Sequence, residues 1–204
     1  DSSTNLERFK KLHKKKFNQT IHFSLRCNNY KFIENLYKFI LVKKNSFIFE
    51  SVEKGKVRGR YTIIGFNPDK IINIKNNKII EDNFNRKKLI KQNILKYLNK
   101  LLKNFKVKSP KELPRMSSML VGYFSYDIIR LIEKIPNSCS DDINIPDIRL
   151  MRPKNLIIYD NFKSKIFFIE NIFEDQKIED YQTEYNKIRN NLKELSHYGN
   201  IPLP

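Results

Sequence analysis

Glycine is scarce in this 204-residue chain: five residues leave little for the loops that cradle nucleotide phosphates. Neither G-x-G-x-x-G nor G-x-x-x-x-G-K-[ST] occurs, which excludes a dinucleotide or P-loop site built on those motifs. Cys27 and Cys139 are the two cysteines, far apart and without a C-x-x-C, and read as isolated thiols of a reducing compartment, the cytoplasm. His13, His22 and His197 form no ligand pair, so no metal site is expected. Apolar runs stay well short of the ~20 residues a membrane helix needs, and no secretory leader is visible. Tryptophan is absent.

Acidic charge is the other shortage. Against 40 Lys+Arg stand 22 Asp+Glu, a formal net charge of +18. Such a balance invites a lysine-rich nucleic-acid-binding module, because basic patches attract phosphates and release counterions. Outside Lys10–Lys16, however, the lysines are scattered through every expected element, and Asn and Ile are abundant too, as an AT-rich coding sequence would give. A solvated basic surface is the reading preferred. With 40% hydrophobic and 12% aromatic residues the chain can build a core, and at this length about 70% of its unfolded surface can be buried, in one large domain or two small ones.

Periodicity predicts a helix over Leu6–Lys15 within a basic lead (1–18), then a helix over Tyr30–Val42 after the Asn28-Asn29 break. Strands are predicted at Ser46–Val52 and Arg60–Phe66, around the charged loop 53–59. Lys70–Lys75 and Lys78–Glu81 flank Asn76-Asn77, a hairpin signal because Asn tolerates the left-handed conformation. A long amphipathic helix is expected from Arg86 to Asn104 and a linker at Pro110 and Pro114. Then come a strand at Met119–Phe124, a short helix at Tyr126–Lys134, strands at Asn155–Tyr159 and Lys165–Glu170, and a helix over Lys177–Ser196. Hairpin-like strands with interspersed helices argue an α+β fold, mainly antiparallel and sandwich-like with flanking helices, rather than βαβ winding. The terminal Pro-Leu-Pro reads as a linker toward further sequence, and Asp1 as the start of a processed chain or of a piece of one.

Chemistry concentrates where the first two strands meet. Glu50 and Ser51 end one strand and Arg60 begins the next, so pairing would bring a carboxylate, a hydroxyl and a guanidinium to one open end. Such a trio suits an amino acid, with Glu taking the ammonium and Arg or backbone N–H groups the carboxylate. From spacing alone the preferred reading is an edge hairpin whose charged loop is merely solvated. Tyr126, Asp127, Arg130 and Glu133 read as an ion-pair cluster or an interface. Asp141, Asp142 and Asp147 suit turn acceptors better than a cation site. Tyr181, Tyr185 and Tyr198 read as core or rim rather than a base-stacking platform.

The stretch Phe47-Ile48-Phe49-Glu50-Ser51-Val52-Glu53 running into Gly59-Arg60-Tyr61-Thr62-Ile63-Ile64-Gly65 resembles the N-terminal signature of anthranilate synthase component I. Leu113-Pro114-Arg115, Val121-Gly122-Tyr123 through Tyr126-Asp127 to Arg130 and Glu133, Asp141-Asp142-Ile143 and Ile145-Pro146-Asp147 resemble later motifs of that family in the same order. Two departures are Ser117-Ser118 for a common glycine pair and Asp160-Asn161 for the usual aspartate–histidine. The resemblance spans about Ser46–Glu170.

The resemblance implies an enzyme, a lyase, that makes anthranilate and pyruvate from chorismate and ammonia, with Mg²⁺, for tryptophan biosynthesis. It implies that residues 19–175 form the N-terminal domain and that 176–204 lead toward a C-terminal chorismate-binding domain. That domain, outside this chain, would hold the Mg²⁺ and the catalytic residues, leaving none within it and the fragment alone inactive. A glutamine amidotransferase subunit would be the partner supplying ammonia, with the Tyr126–Glu133 cluster as a candidate surface for it. Feedback binding of L-tryptophan is implied at Ser51, with Glu50 and Arg60 beside it. The related aminodeoxychorismate synthase component commonly reads D-S where this chain has Glu50-Ser51, which leans toward anthranilate synthase.

Overall fold

A computed structural model describes residues 5–50, 59–136 and 140–200. The elements in chain order are α1 (Leu6–Lys14), β1 (Asn18–Arg26), α2 (Tyr30–Leu41), β2 (Phe47–Glu50), β3 (Tyr61–Lys75), β4 (Lys78–Asp82), β5 (Lys87–Ile90), α3 (Ile94–Asn104), β6 (Val107–Lys108), β7 (Val121–Phe124), β8 (Ile148–Asp160), β9 (Lys165–Ile172) and α4 (Tyr181–His197). Short 3₁₀ turns occupy Tyr126–Leu131 and Tyr198–Asn200. The fold is α+β as expected. Ladders β1–β9, β2–β3, β3–β4, β4–β5, β7–β8 and β8–β9 are antiparallel, while β1–β6 is parallel. No described helix is long and apolar enough to cross a membrane.

The chain folds as two compact units, one of residues 1–67, 105–118 and 153–204, the other of 68–104 and 119–152. β3 and β8 each contribute one half to either unit.

In the first unit, β9 pairs with β8 on one side, from Asn155↔Glu170 to Asp160↔Lys165, and with β1 on the other, from Gln19↔Ile172 to Arg26↔Lys165. One face of this ladder carries Ile21, Ile157, Tyr159, Ile166 and Phe168 into a core completed by α1, α2 and α4. Helix α2 presents Phe32, Ile33, Leu36 and Ile40, and its first turn is capped by Asn29, whose side chain accepts from the Lys31 N–H. Asp180 caps α4 at the Thr183 N–H. The basic lead is not all solvent-facing: Phe9 is wholly buried against Tyr181 and Tyr185, and His13 bonds Tyr181 Oη and the Gln176 carbonyl, each at 3.0 Å. Its lysines 11, 14, 15 and 16 do face solvent.

Strand β1 and the short β6 go beyond the elements that periodicity predicts. Asn18, Gln19, Thr20 and His22 look like loop composition, yet all four are buried. Polar bonds pin this end of the strand: Asn18 reaches the Lys106 carbonyl and accepts from the Glu174 N–H, and Gln19 donates to the Phe9 carbonyl.

In the second unit, Asn76 and Asn77 adopt φ of 49° and 58° and turn β3 into β4, as the dipeptide implied. The predicted helix over Arg86–Asn104 is corrected: Lys87–Ile90 is strand β5, paired from Ile79↔Ile90 to Asp82↔Lys87, and the helix starts at Ile94. Asn93 makes that start by accepting from the Lys96 N–H. α3 then packs Ile94, Tyr97, Leu98 and Leu101 with Ile72, Ile74, Ile79, Ile148 and Leu150. The expected break between strands at 60–66 and 70–75 is also corrected, since β3 is continuous through Asn67, a residue at φ 48°.

Candidate functional site

β2 and β3 pair from Phe47↔Gly65 to Glu50↔Thr62, so the predicted hairpin forms and sets Glu50 and Arg60 at one end. The tight fit of the two strands explains Gly65, where a Cβ would sit 2.1 Å from the Phe47 ring. Ser51, with the rest of the loop to Arg58, lies outside the described residues. Glu50 and Arg60 do not bond each other; each has partners of its own.

Glu50 is exposed, but its Oε1 accepts two phenols from α2, Tyr30 Oη at 2.8 Å and Tyr37 Oη at 3.1 Å. Both phenols are held in the neutral, donating form. The hydrogen bond to Glu50 is the main cause at Tyr30. At Tyr37 burial raises the ionisation range most, and the nearby Glu50 charge adds to it against an opposing hydrogen bond from Thr62.

Arg60 grips Asp160 with both arms of its fork, Nε to Oδ1 at 3.0 Å and Nη2 to Oδ2 at 2.7 Å. Its guanidinium also lies near the rings of Tyr61 and Phe162, at 4.8 and 5.5 Å. Asp160 Oδ1 accepts in addition from the N–H groups of Phe162 and Lys163, each at 3.1 Å. Burial would raise the Asp160 carboxyl, but the bond from Arg60 and those backbone donors outweigh it and hold the group below the ordinary carboxylate range. Asn161 completes the clasp, its N–H on the Arg60 carbonyl at 2.8 Å and its amide on the Gly59 carbonyl at 3.3 Å. The β8–β9 turn therefore fixes where β3 begins. The bidentate pair uses Nε and Nη2, so a ligand carboxylate would meet Arg60 at its Nη1 edge.

The other candidates lie in the second unit. Asp127 and Arg130 form the predicted pair at 2.9 Å, on a 3₁₀ turn that ends at Leu131 rather than a helix reaching Lys134. Arg130 Nη1 donates to the carbonyls of Ile135 and Pro136, at 2.9 and 2.8 Å, and the Glu133 carboxylate stays outside this set of bonds. Tyr126 is 88% exposed.

In the acidic loop Asp141 and Asp147 act as turn acceptors. Asp141 bonds Lys75 at 2.7 Å and the Asn144 N–H at 2.9 Å, and Asp147 accepts from the Asn76 N–H at 3.2 Å. Among the described residues no three His, Cys, Asp or Glu side chains gather as cation ligands.

Sequence reasoning missed Tyr30, Tyr37 and Asp160 as partners of the site. Tyr37 falls on the apolar face of α2, and Asp160 holds a motif position where only its neighbour Asn161 departs from the family pattern.

With this geometry in view, the sequence pattern of the chorismate binding enzymes matches residues 44–201, and the chain belongs to that family. Curated relatives of the chain carry the name anthranilate synthase component 1. Anthranilate synthase component 1 of Acetivibrio thermocellus is 35% identical over 134 residues, 65% of this chain and 27% of that protein. The protein of the same name from Cereibacter sphaeroides is 30% identical over 168 residues, 80% of this chain and 34% of that protein. A solved structure of anthranilate synthase component I from Streptococcus pneumoniae TIGR4 covers 82% of this chain and 34% of its own, with 24% identity and a TM-score of 0.55. At that identity the likeness supports the fold alone. The chain thus spans about a third or less of the length of the relatives it matches.

Proposed function

We propose that this chain is the N-terminal, regulatory and scaffolding part of an anthranilate synthase component I. The whole enzyme would aminate chorismate with ammonia and release pyruvate to leave anthranilate. The residues that act on chorismate and the Mg²⁺ they need would lie outside this chain, and a glutamine amidotransferase subunit would supply the ammonia. The observation that carries the reading is the 30–35% identity to proteins of that name over most of the chain.

Within the chain, the β2–β3 end is the proposed feedback site for L-tryptophan. Glu50 would take the ammonium, the Nη1 edge of Arg60 the carboxylate, and Ser51 would complete the contact. Inhibition requires only that the amino acid bind one state of the enzyme more tightly than the other.

The test uses the full-length protein with chorismate, Mg²⁺ and ammonium, followed by anthranilate fluorescence with and without L-tryptophan. Anthranilate that L-tryptophan suppresses is expected, and none from the 204-residue chain alone. An aminated product that keeps its pyruvyl group would instead assign the chain to the aminodeoxychorismate synthase relative.

A further inference from the structure

An exposed carboxylate at a strand end is ordinarily left to water. Glu50 is not: both phenols of α2 converge on Oε1, while Oε2 carries no hydrogen bond among the described residues. Tyr30 and Tyr37 stand seven residues apart, two helical turns, and so reach the carboxylate from the same side of α2. The chemistry of the donors is informative. A lysine or arginine at either place would orient the carboxylate and also neutralise it. Two neutral hydroxyls orient it and leave its charge for another cation.

The geometry points to Tyr30 and Tyr37 as positioning residues that fix Glu50 as an anionic receptor for the primary ammonium of the ligand. This rests on the feedback site proposed above and adds what selects its ligand. Binding would then require the ammonium itself rather than the indole ring, and α2 would be the element that feels occupancy, since its two tyrosines share the carboxylate with the ligand.

The experiment measures, on the full-length protein, the affinity of L-tryptophan and of indole-3-propionate, which keeps ring and carboxylate but lacks the amine. In the parent protein L-tryptophan should bind far more tightly. Tyr37→Phe should weaken L-tryptophan about tenfold, as expected for losing a hydrogen bond to a charged group, and barely change indole-3-propionate. Tyr30→Phe, at an exposed position where folding is not at stake, should act in the same direction with a smaller effect. The ratio of the two affinities is the readout, because general loosening of the site weakens both ligands together. Loss of L-tryptophan binding in Glu50→Gln with an unchanged ratio in both tyrosine variants would overturn the positioning role while keeping the site. Indifference of L-tryptophan binding to Glu50→Gln would overturn the site, and this inference with it.

Discussion

Asp160 shows how far a single side chain organises the candidate site. It is 2% exposed, faces Arg60 through two hydrogen bonds and gathers two backbone N–H groups besides. Asp160→Ala removes the acceptor for all four, and hydrogen bonds to a charged group suggest a loss of about 2 kcal/mol at neutral pH. The pH dependence has a definite sign. The folded carboxyl titrates below the unfolded one, so its stabilisation is complete above the unfolded value of about 3.9 and is lost as pH falls through the folded value. Asp160→Asn, which mimics the protonated acid, should therefore be less stable than the parent at pH 7 and converge with it in acid. Urea unfolding midpoints at pH 7 and in acid decide this, and a difference that stays constant with pH would remove the linkage. Arg60 thus has a structural duty that its sequence position did not reveal, whatever its remaining N–H groups meet.

Elements were legible where local chemistry decided them. Asn76-Asn77 names its turn, and the helical spacing from Phe32 to Ile40 names α2 and its buried side. The Val121-Gly122-Tyr123 motif becomes legible only with β8 in place. Gly122 pairs with Leu150, and a Cβ there would lie 1.8 Å from the Arg149 carbonyl oxygen. Backbone cannot yield as a side chain does, so Gly122→Ala should displace β7 from β8 and cost roughly 3 kcal/mol, the upper range for overpacking. A urea midpoint unchanged from the parent would show that the two strands need not approach so closely. Elsewhere the sequence misled for physical reasons. β1 buries Asn18, Gln19, Thr20 and His22, whose polar groups suggest solvent until the neighbouring strands and loops are present to receive some of them. Lys87–Ile90 continues the apolar period of α3 in phase, and only its ladder with β4 makes it a strand. The candidate site was half legible: the hairpin and its charged residues could be read, but the partners from α2 and the β8–β9 turn are 13 to 100 residues away from them.

Charge governs the behaviour of the whole molecule. With 40 basic against 22 acidic residues, even complete one-to-one pairing leaves 18 cations without an acid. Several acids are engaged with particular partners: Asp160 with Arg60 and Glu170 with Lys154 in the first unit, Asp69 with Arg152 and Asp141 with Lys75 in the second. Several of these pairs are substantially buried and hence weakly screened, whereas lysines 11, 14, 15 and 16 repel one another through solvent. Salt should therefore relieve more repulsion than it weakens attraction. At about 0.01 M ionic strength the screening length is near 30 Å, so most surface cations feel one another; at 0.1 M it is about 10 Å. Raising NaCl from about 0.02 to 0.3 M should raise the melting temperature of the 204-residue chain by about 3 °C or more, the equivalent of roughly 1 kcal/mol at this size. Sucrose at matched osmolality separates charge screening from general solvent exclusion, because it leaves the repulsion untouched. A melting temperature that falls with NaCl would mean that attractive pairs govern the surface. The same titration bears on the basic surface as a binding feature: contacts to phosphates that merely reflect net charge disappear over this salt range, whereas a built nucleic-acid site would retain sequence-selective binding at about 0.3 M.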